Sequence, residues 1–391
     1  LRAGMDIREV AGDDAVGVTR GPADVAVLPC DGNYRAVVPR LVSLAGAEDI
    51  VGPGDSVLIK PNLHAPQHWS TGGTTNPALV GALIDWAREM GARRILVADS
   101  PFRGNPRPEE VFTTTGMGEA VEQKGAEWAL LTSHPFRVFG GASPHLPRPL
   151  GISELLLACD KVINVALMKT HLNCLVSLGM KNLKGCIRNR DKTAFHHELD
   201  IDRAIVALNR LIRPDLTIVD GTLGMEGIGP GGGTPAHFGH IFAGLHAPAV
   251  DAVAANAMGV EIREARSLRF AVEEGLLQPG GIRVRGEEVS AIRRRFDRPD
   301  EAMARELPDL ELQADGACSG CRLNVVTAVR DLVRSGGALP DPPIVIGKEP
   351  PSQERAILIG DCALAHRDGH EGLPGCAPRT DTIRAFLEQR A

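Results

Sequence analysis

The sequence predicts an α/β protein: a mostly parallel sheet with helices on both faces, followed by a small C-terminal α/β domain carrying a four-cysteine metal site. Three observations lead there. Short β-branched apolar runs alternate with segments of helical period over the first 260 or so residues. Strand, helix, strand recurs in that order, which is the signature of βαβ units and a parallel sheet. In the last hundred residues, four of the eight cysteines gather at helix and loop ends. The expected boundary divides residues 1–290 from 291–391.

Residues 1–24 carry little pattern, and Val25–Leu28 reads as a first strand. Tyr34–Leu44 has helical spacing, and Ser56–Lys60 is a strand that ends in Pro61-Asn62. Thr75 or Asn76 can cap the next helix, with Pro77 in its first turn and Gly91 closing it. Arg94–Asp99 is the next strand. A helix over 109–123, a short strand near Trp128–Leu131 and a Pro-rich excursion over 134–150 follow. A helix over Ile152–Ala158 precedes the apolar strand Lys161–Leu167. Beyond a polar loop, Ile201–Ile212 is an amphipathic helix and Leu216–Asp220 a strand that opens into the glycine-rich loop 221–233. That loop matches neither GxGxxG before a helix nor GxxxxGK[ST]. His240–Gly244 reads as a strand, Val250–Met258 as a helix, and 261–308 as a charged connection.

Composition narrows the function. The 391 residues have a formal net charge of −6, and only 4% are aromatic. General nucleic-acid binding and single-strand stacking platforms are therefore not expected. No run of 18 apolar residues exists, so no membrane span is expected. The first residues lack a basic-then-apolar leader pattern, and the expected location is the cytoplasm. In that compartment cysteines serve as thiols or metal ligands more than as disulfides. Oligomeric state is left open.

Against this acidic background, Met168–Asp200 concentrates Lys169, His171, Asn173, Lys181, Asn182, Lys184, Lys192, His196 and His197, with Arg188 and Arg190. Polar groups just past the carboxyl end of a parallel strand are where open α/β sheets bind ligands. A surface loop with solvated lysines is the plainer alternative. Interleaving with Asn, His and Gly, between apolar flanks, favours a site for a small anionic metabolite, a carboxylate or phosphate. Lys60, Asn62, Lys169, Asn182 and Asp220 are the candidate binding residues, and His171, Lys181, Lys184 and Glu226 the candidate catalytic ones. Asn62 and Asn182 would orient the ligand, and His171 or Glu226 would move protons. A lysine crowded by cations in a partly dry pocket can act as base or nucleophile.

Cys318-Ser-Gly-Cys321 heads a helix over Leu323–Arg334, Cys362 follows the apolar run 356–359, and Cys376 lies in Pro374-Gly-Cys-Ala-Pro378. Four thiolates so placed can enclose one metal centre, iron–sulfur or zinc. The Pro-Gly-Cys-Ala-Pro turn resembles the Pro-Gly-Cys-Pro-Pro ligand turn in the small subunit of respiratory NADH dehydrogenases. A 4Fe–4S cluster is thus the expected cofactor, with zinc as the alternative. Cys30 and Cys159 read as core. Cys174 and Cys186 lie in the polar segment and read as buried small residues.

Ile59-Lys-Pro-Asn62, Thr74-Thr-Asn-Pro77, Lys169-Thr-His171, Lys181-Asn-Leu-Lys-Gly185, Val219-Asp-Gly221 and Met225-Glu-Gly-Ile-Gly-Pro230 together resemble the domain-of-unknown-function 362 family, over roughly residues 25–300. The resemblance implies a fold and a motif set without a settled reaction. The C-terminal cysteines resemble those of iron–sulfur-bearing members, although the ferredoxin run CxxCxxCxxxCP is not in this sequence. A weaker similarity, at Gly179-Met-Lys181-Asn182 and His196-His197, is to the lactate racemase that uses a nickel-pincer cofactor. Two readings follow. One is an iron–sulfur enzyme of redox, lyase or sulfur-transfer chemistry. The other is a non-catalytic iron–sulfur carrier or maturation protein, whose lysine-rich loop docks an acidic redox partner protein, or a structural zinc protein.

Overall fold

The computed structural model describes residues 23–101, 107–140, 143–366 and 369–390. Residues 1–22, including most of the patternless N-terminal stretch, lie outside the described residues. The chain divides into two compact units. The first comprises the chain to Lys169, Cys174–Met225 and Thr234–Phe296. The second comprises Thr170–Asn173, Glu226–Gly233 and Asp297 onward. The 1–290 segment expected as one domain therefore lends two short pieces, 170–173 and 226–233, to the second unit.

The first unit is built on a mixed, mostly parallel sheet. Its order is Ile282–Gly286, Ala23–Pro29, His240–Gly244, Leu216–Glu226, Lys161–His171, Ser56–Lys60, Arg94–Asp99, Glu127–Leu130. The five strands from Leu216–Glu226 to Glu127–Leu130 run parallel. His240–Gly244 is antiparallel to both its neighbours.

Side-chain alternation gives the sheet two buried faces. Val57, Ile59, Val97, Ile163, Val165, Ile218 and Ile241 pack with the helices Tyr34–Leu44 and Pro77–Glu89. On the opposite face, Leu58, Leu96, Ala98 and Val162 pack with the helix Ile201–Leu211. Val25, Val27, Ala166, Val219 and Phe242 pack with the helices Ala247–Ala257 and Arg266–Glu273. Helices thus cover both faces.

Several elements depart from the expected limits. The strand expected to stop at Leu167 continues to His171, and the strand expected to stop at Asp220 continues to Glu226. Half of the expected glycine-rich loop is therefore strand. The helix expected over 109–123 breaks into Glu110–Thr114 and Met117–Gln123, because Gly116 adopts φ +75° between them. The charged connection over 261–308 contains three helices, Arg266–Glu273, Val289–Ile292 and Pro299–Glu306, and an edge strand, Ile282–Gly286, parallel to Ala23–Pro29.

The second unit has its own four-stranded parallel sheet, Leu312–Gln313, Ile344–Val345, Ile357–Ile359, Glu371–Leu373. The helices Ser319–Arg334 and Thr380–Glu388 bring Val325, Val329, Leu332, Ile383 and Leu387 against Ile344, Ile346, Ile357 and Ile359. Among the described residues no helix is long and apolar enough to cross a membrane.

Candidate functional site

The polar segment of the first unit folds into a strand end and three short helical pieces, of which Gly179–Asn182 is a single turn. Such a turn is too short to be stable alone. Side chains from elsewhere hold it. The Asp251 carboxylate accepts from the Gly179 and Met180 N–H groups at 2.7 and 2.8 Å. The Asn164 and Asn209 amides donate to the Gly179 and Met180 carbonyls at 2.9 and 3.0 Å. Gly179 itself is required, because a Cβ there would meet Thr217 Cγ2 at 2.5 Å and Asp251 Oδ1 at 2.8 Å.

A directed hydrogen-bond chain runs beneath this turn. Lys169 Nζ donates to Asn62 Oδ1 at 2.7 Å and to the Gly73 carbonyl at 2.9 Å. Asn62 Nδ2 donates to Asn182 Oδ1 and Asn182 Nδ2 to Asn164 Oδ1, each at 2.9 Å. Asn164 then ends the chain on the Gly179 carbonyl. An ammonium at one end and a carbonyl at the other fix the orientation of every amide between them. Lys60, fully buried, pairs with Asp99 at 2.7 Å and donates to Asn182 Oδ1 at 3.3 Å. A Cβ on Gly185 would strike this ion pair, at 2.4 Å from Asp99 Oδ1. Lys192, also buried, bonds Ser100 Oγ.

Lysines outnumber their carboxylates in this region. His64 is held well below the usual imidazole range, first by burial and then by Lys169, Lys181 and Lys184. His196 is held low by burial and by Lys184 and Lys181, and it bonds Lys184 directly. The charges of Lys169, Lys181 and Lys184 thus all act on His64. The carboxylate that acts on Lys169 is Asp99, already paired with Lys60. Asn62, His64, Lys181, Lys184 and His196 keep part of their surface open, whereas Lys60, Lys169, Asn182 and Lys192 are buried behind them. The arrangement is a cluster of cations, some buried and some partly exposed.

Burial and the Lys181 charge bring Lys169 from 10.5 down to about 7, and burial brings Lys192 down to about 8. A bound anion favours the ammonium forms, so binding takes up protons and is expected to weaken as pH rises from 7 to 9. The ligand-free protein should show the linked effect. Both folded-state values lie below the ordinary 10.5, so above them the unfolded chain holds more protons and stability rises with pH. Above about 9 the buried thiols Cys174 and Cys186, raised by burial, run the other way. Thermal denaturation between pH 7 and 9, with and without phosphate, checks this. A gain with pH that phosphate does not diminish would contradict it.

The other expected residues make other contacts. Asp220 is buried, and its carboxylate accepts from the Tyr34 hydroxyl at 3.0 Å and from the Thr222 N–H and hydroxyl at 2.9 and 2.6 Å. His171 and Glu226 belong to the second unit. His171 Nδ1 accepts from the Asn173 N–H, and Glu226 Oε2 accepts from the Asp297 N–H at 3.2 Å. Sequence reading left out Asp251, Asn164, Asn209 and His64. Asp251 sits within an Ala-rich helical run, where a single carboxylate gives no signal of its own.

The second unit gathers the cysteines. Cys318 caps the helix Ser319–Arg334 and Cys321 lies in its first turn. The Cys321 thiol is pushed up by its hydrogen bond with Cys318, by burial and by the charges of Cys376 and Cys362, and Cys362 is raised by burial and by Cys318. Cys318 and Cys321 thus touch, and the charges of Cys362 and Cys376 act on Cys321. Asp361 ties their loops together: its Oδ1 accepts from the Gly375 N–H at 2.7 Å and its N–H donates to the Gly375 carbonyl at 3.1 Å. Asn324 Nδ2 reaches the Pro378 carbonyl at 2.8 Å. A Cβ on Gly360 would lie 3.1 Å from Cys321 Sγ. Among the described residues no group of three or more His, Cys, Asp or Glu is arranged to hold a metal ion. The donor set, four soft thiols, suits zinc or an iron–sulfur cluster.

Comparison with known proteins adds the following. A family model described as a domain of unknown function (DUF362) matches residues 57–256, which include Lys60, Asn62, the lysine segment and Asp251. A relative, thylakoid-associated protein sll1697 of Synechocystis sp. (strain ATCC 27184 / PCC 6803 / Kazusa), is 29% identical over 218 residues, 54% of this chain. The chain spans 66% of that relative's length. A solved structure, the lactate racemase apoprotein from Thermoanaerobacterium thermosaccharolyticum, aligns with a TM-score of 0.39 at 12% identity, covering 90% of this chain and 72% of that one. A likeness of that size carries no argument about this chain.

Proposed function

This chain belongs to the DUF362 family, and from that premise we propose an enzyme that binds a small anionic metabolite, a carboxylate or phosphate, at the lysine cluster of its first unit. Its second unit holds a metal centre, a 4Fe–4S cluster, on Cys318, Cys321, Cys362 and Cys376. The observation that carries the anion reading is the burial of Lys60, Lys169 and Lys192 with the carboxylate Asp99 paired to Lys60, while Lys169 and Lys192 bond neutral acceptors. Buried cations without matching carboxylates are costly unless a ligand supplies the charge. The Asn62–Asn182–Asn164 chain holds Lys169 and the Lys181 turn in fixed positions, as a site for a small ligand requires.

The cluster reading rests on four free cysteines in one small unit, with Cys318 and Cys321 in hydrogen-bond contact. Such a centre would supply electrons or a Lewis-acid iron. The chain's own contribution is to bind and orient the anion and to shield it from water.

Calorimetric titration of anaerobically purified protein with phosphate and with pyruvate tests the anion reading. Each charge-assisted contact contributes about 1.5–3 kcal/mol, so Lys181→Met or Lys184→Met should weaken binding about tenfold to hundredfold with metal content unchanged. Binding should also weaken with salt, though less than for an exposed ion pair. Variants that bind as the parent does would reduce the lysine cluster to a surface feature and favour the docking or electron-carrier reading.

A further inference from the structure

The parallel sheet of the second unit gathers cysteines on one edge. Its strands Leu312–Gln313, Ile344–Val345, Ile357–Ile359 and Glu371–Leu373 all run the same way. Cys318 and Cys321 come after the first of them, Cys362 after the third and Cys376 after the fourth. Each lies past the carboxyl end of a strand, the edge where open α/β sheets place their chemistry. Within this group two cysteines form a pair. Cys318 is the N-cap of the helix Ser319–Arg334, and Cys321 stands in its first turn. The Arg322 N–H donates to the Cys318 carbonyl at 3.1 Å, which closes that turn and sets both side chains on one helix face. Their thiols are in hydrogen-bond contact, and both keep part of their surface open. A Cβ on Gly360 would stand 3.1 Å from Cys321 Sγ, so backbone closes in on that sulfur, whereas Cys318 precedes the helix. The helix joins two adjacent parallel strands, Leu312–Gln313 and Ile344–Val345. A CxxC at the head of such a crossover helix is an arrangement suited to thiol–disulfide exchange. Cys30, Cys159, Cys174 and Cys186 are buried and take no part.

We propose that Cys318 and Cys321 are a redox dithiol that exchanges with small disulfides, and that the bridge they form unloads the metal centre. The Cys318 sulfur gives up its proton and attacks one sulfur of the incoming disulfide. A mixed S–S bond forms, the S–S bond of the small molecule breaks, and one small thiolate leaves. Cys321 gives up its proton in turn and attacks Cys318 Sγ, expelling the second small thiolate. The two protons end on the two released thiols. Overall two cysteine thiols are oxidised to a disulfide, the small disulfide is reduced to two thiols, and two electrons pass from one to the other. Bridged sulfurs have no thiolate charge to offer a metal, so the four-cysteine donor set drops to two. The exchange needs the pair alone, and its effect on the metal rests on the cluster reading above.

The test exposes the full-length protein, purified anaerobically, to oxidised and reduced glutathione over a range of ratios. Each sample is divided between metal analysis and acid quenching, alkylation and tryptic mapping. Cys318 and Cys321 share the tryptic peptide 306–322. The expected result is that this peptide becomes resistant to alkylation and two hydrogens lighter, that dithiothreitol reverses the change, and that metal leaves in proportion. Cys362 and Cys376 should stay open to alkylation. The double variant Cys362→Ser with Cys376→Ser should still bridge, because the pair does not need them, and the mapping of the parent decides if that variant misfolds. A peptide that takes two alkyl groups, or glutathione adducts alone, at every ratio would overturn the proposal, as would bridges from Cys321 to Cys362 or Cys376. Metal that stays on bridged protein would overturn the control of the centre and take the pair out of its donor set. Bridging in a parent that never held metal would leave the exchange standing and sink the cluster reading.

Discussion

Under the proposed cluster, replacing Cys321 by serine is expected to remove the metal from the second unit and unfold that unit. Serine nearly matches cysteine in size, so the change leaves no cavity and removes mainly the sulfur donor. The unit has a small core, centred on Val325, Val329, Leu332, Ile344, Ile346, Ile357, Ile359, Ile383 and Leu387, and its strands are two or three residues long. Units of this size commonly need a staple. A structural metal contributes on the order of 10 kcal/mol or more in small thiolate sites. Anaerobically purified parent should be brown and carry about four irons per chain if the cluster is cubane. The Cys321→Ser protein should be colourless and cut rapidly by protease within 297–391, while the first unit keeps its anion binding. Stoichiometric zinc in a colourless parent would make the centre structural. A parent without metal, and a variant as protease-resistant as the parent, would leave the four thiols as ordinary packing.

The second large effect is expected at Asp251. Its carboxylate is buried and accepts two backbone N–H groups at the start of the turn that carries Lys181. Asp251→Ala leaves both donors unsatisfied, at about 1–3 kcal/mol each. The first unit should therefore lose about 2–6 kcal/mol in chemical denaturation. Anion binding should fall as well, although Asp251 is not a candidate ligand group, because the Lys181 turn loses its anchor. Asp251→Asn separates geometry from charge: it keeps one oxygen acceptor and should retain more stability than alanine. It should also change the pH profile. Burial raises Asp251 from 3.8 to about 7, so between those values the folded protein holds the extra proton. The stability linked to that proton is fully present below 3.8 and is lost as pH rises through about 7. The asparagine variant should lose this slope. A variant with parental stability and parental anion affinity would show that the turn holds itself.

Much of the architecture was legible in the sequence. Tyr34–Leu44, Ser56–Lys60, Arg94–Asp99 and His240–Gly244 begin and end where local pattern places them. Their signals are local: apolar periodicity, a capping Asn76 before Pro77, a closing Gly91. The contact of Lys60, Asn62 and Lys169 with one another through Asn62 and Asn182 follows in the same way, because strand ends on one edge of a parallel sheet converge.

Tertiary structure alone decided the rest. Ile282–Gly286 has a weak strand pattern, and it became an edge strand because Ala23–Pro29, far away in sequence, offered an unpaired edge. Gly286, at φ +98°, lets the Val27 carbonyl approach where a Cβ would stand 2.2 Å away. The strands ending in His171 and Glu226 outran their apolar stretches because a neighbouring strand satisfied their backbone, at Lys169 opposite Met225 for example. Asp220 went to Tyr34 and Thr222, and His171 and Glu226 to the second unit. Charge and spacing along a chain show which side chains can bind an anion. Which of them keep an open ammonium, and which are consumed by a buried partner, depends on groups brought together only by folding.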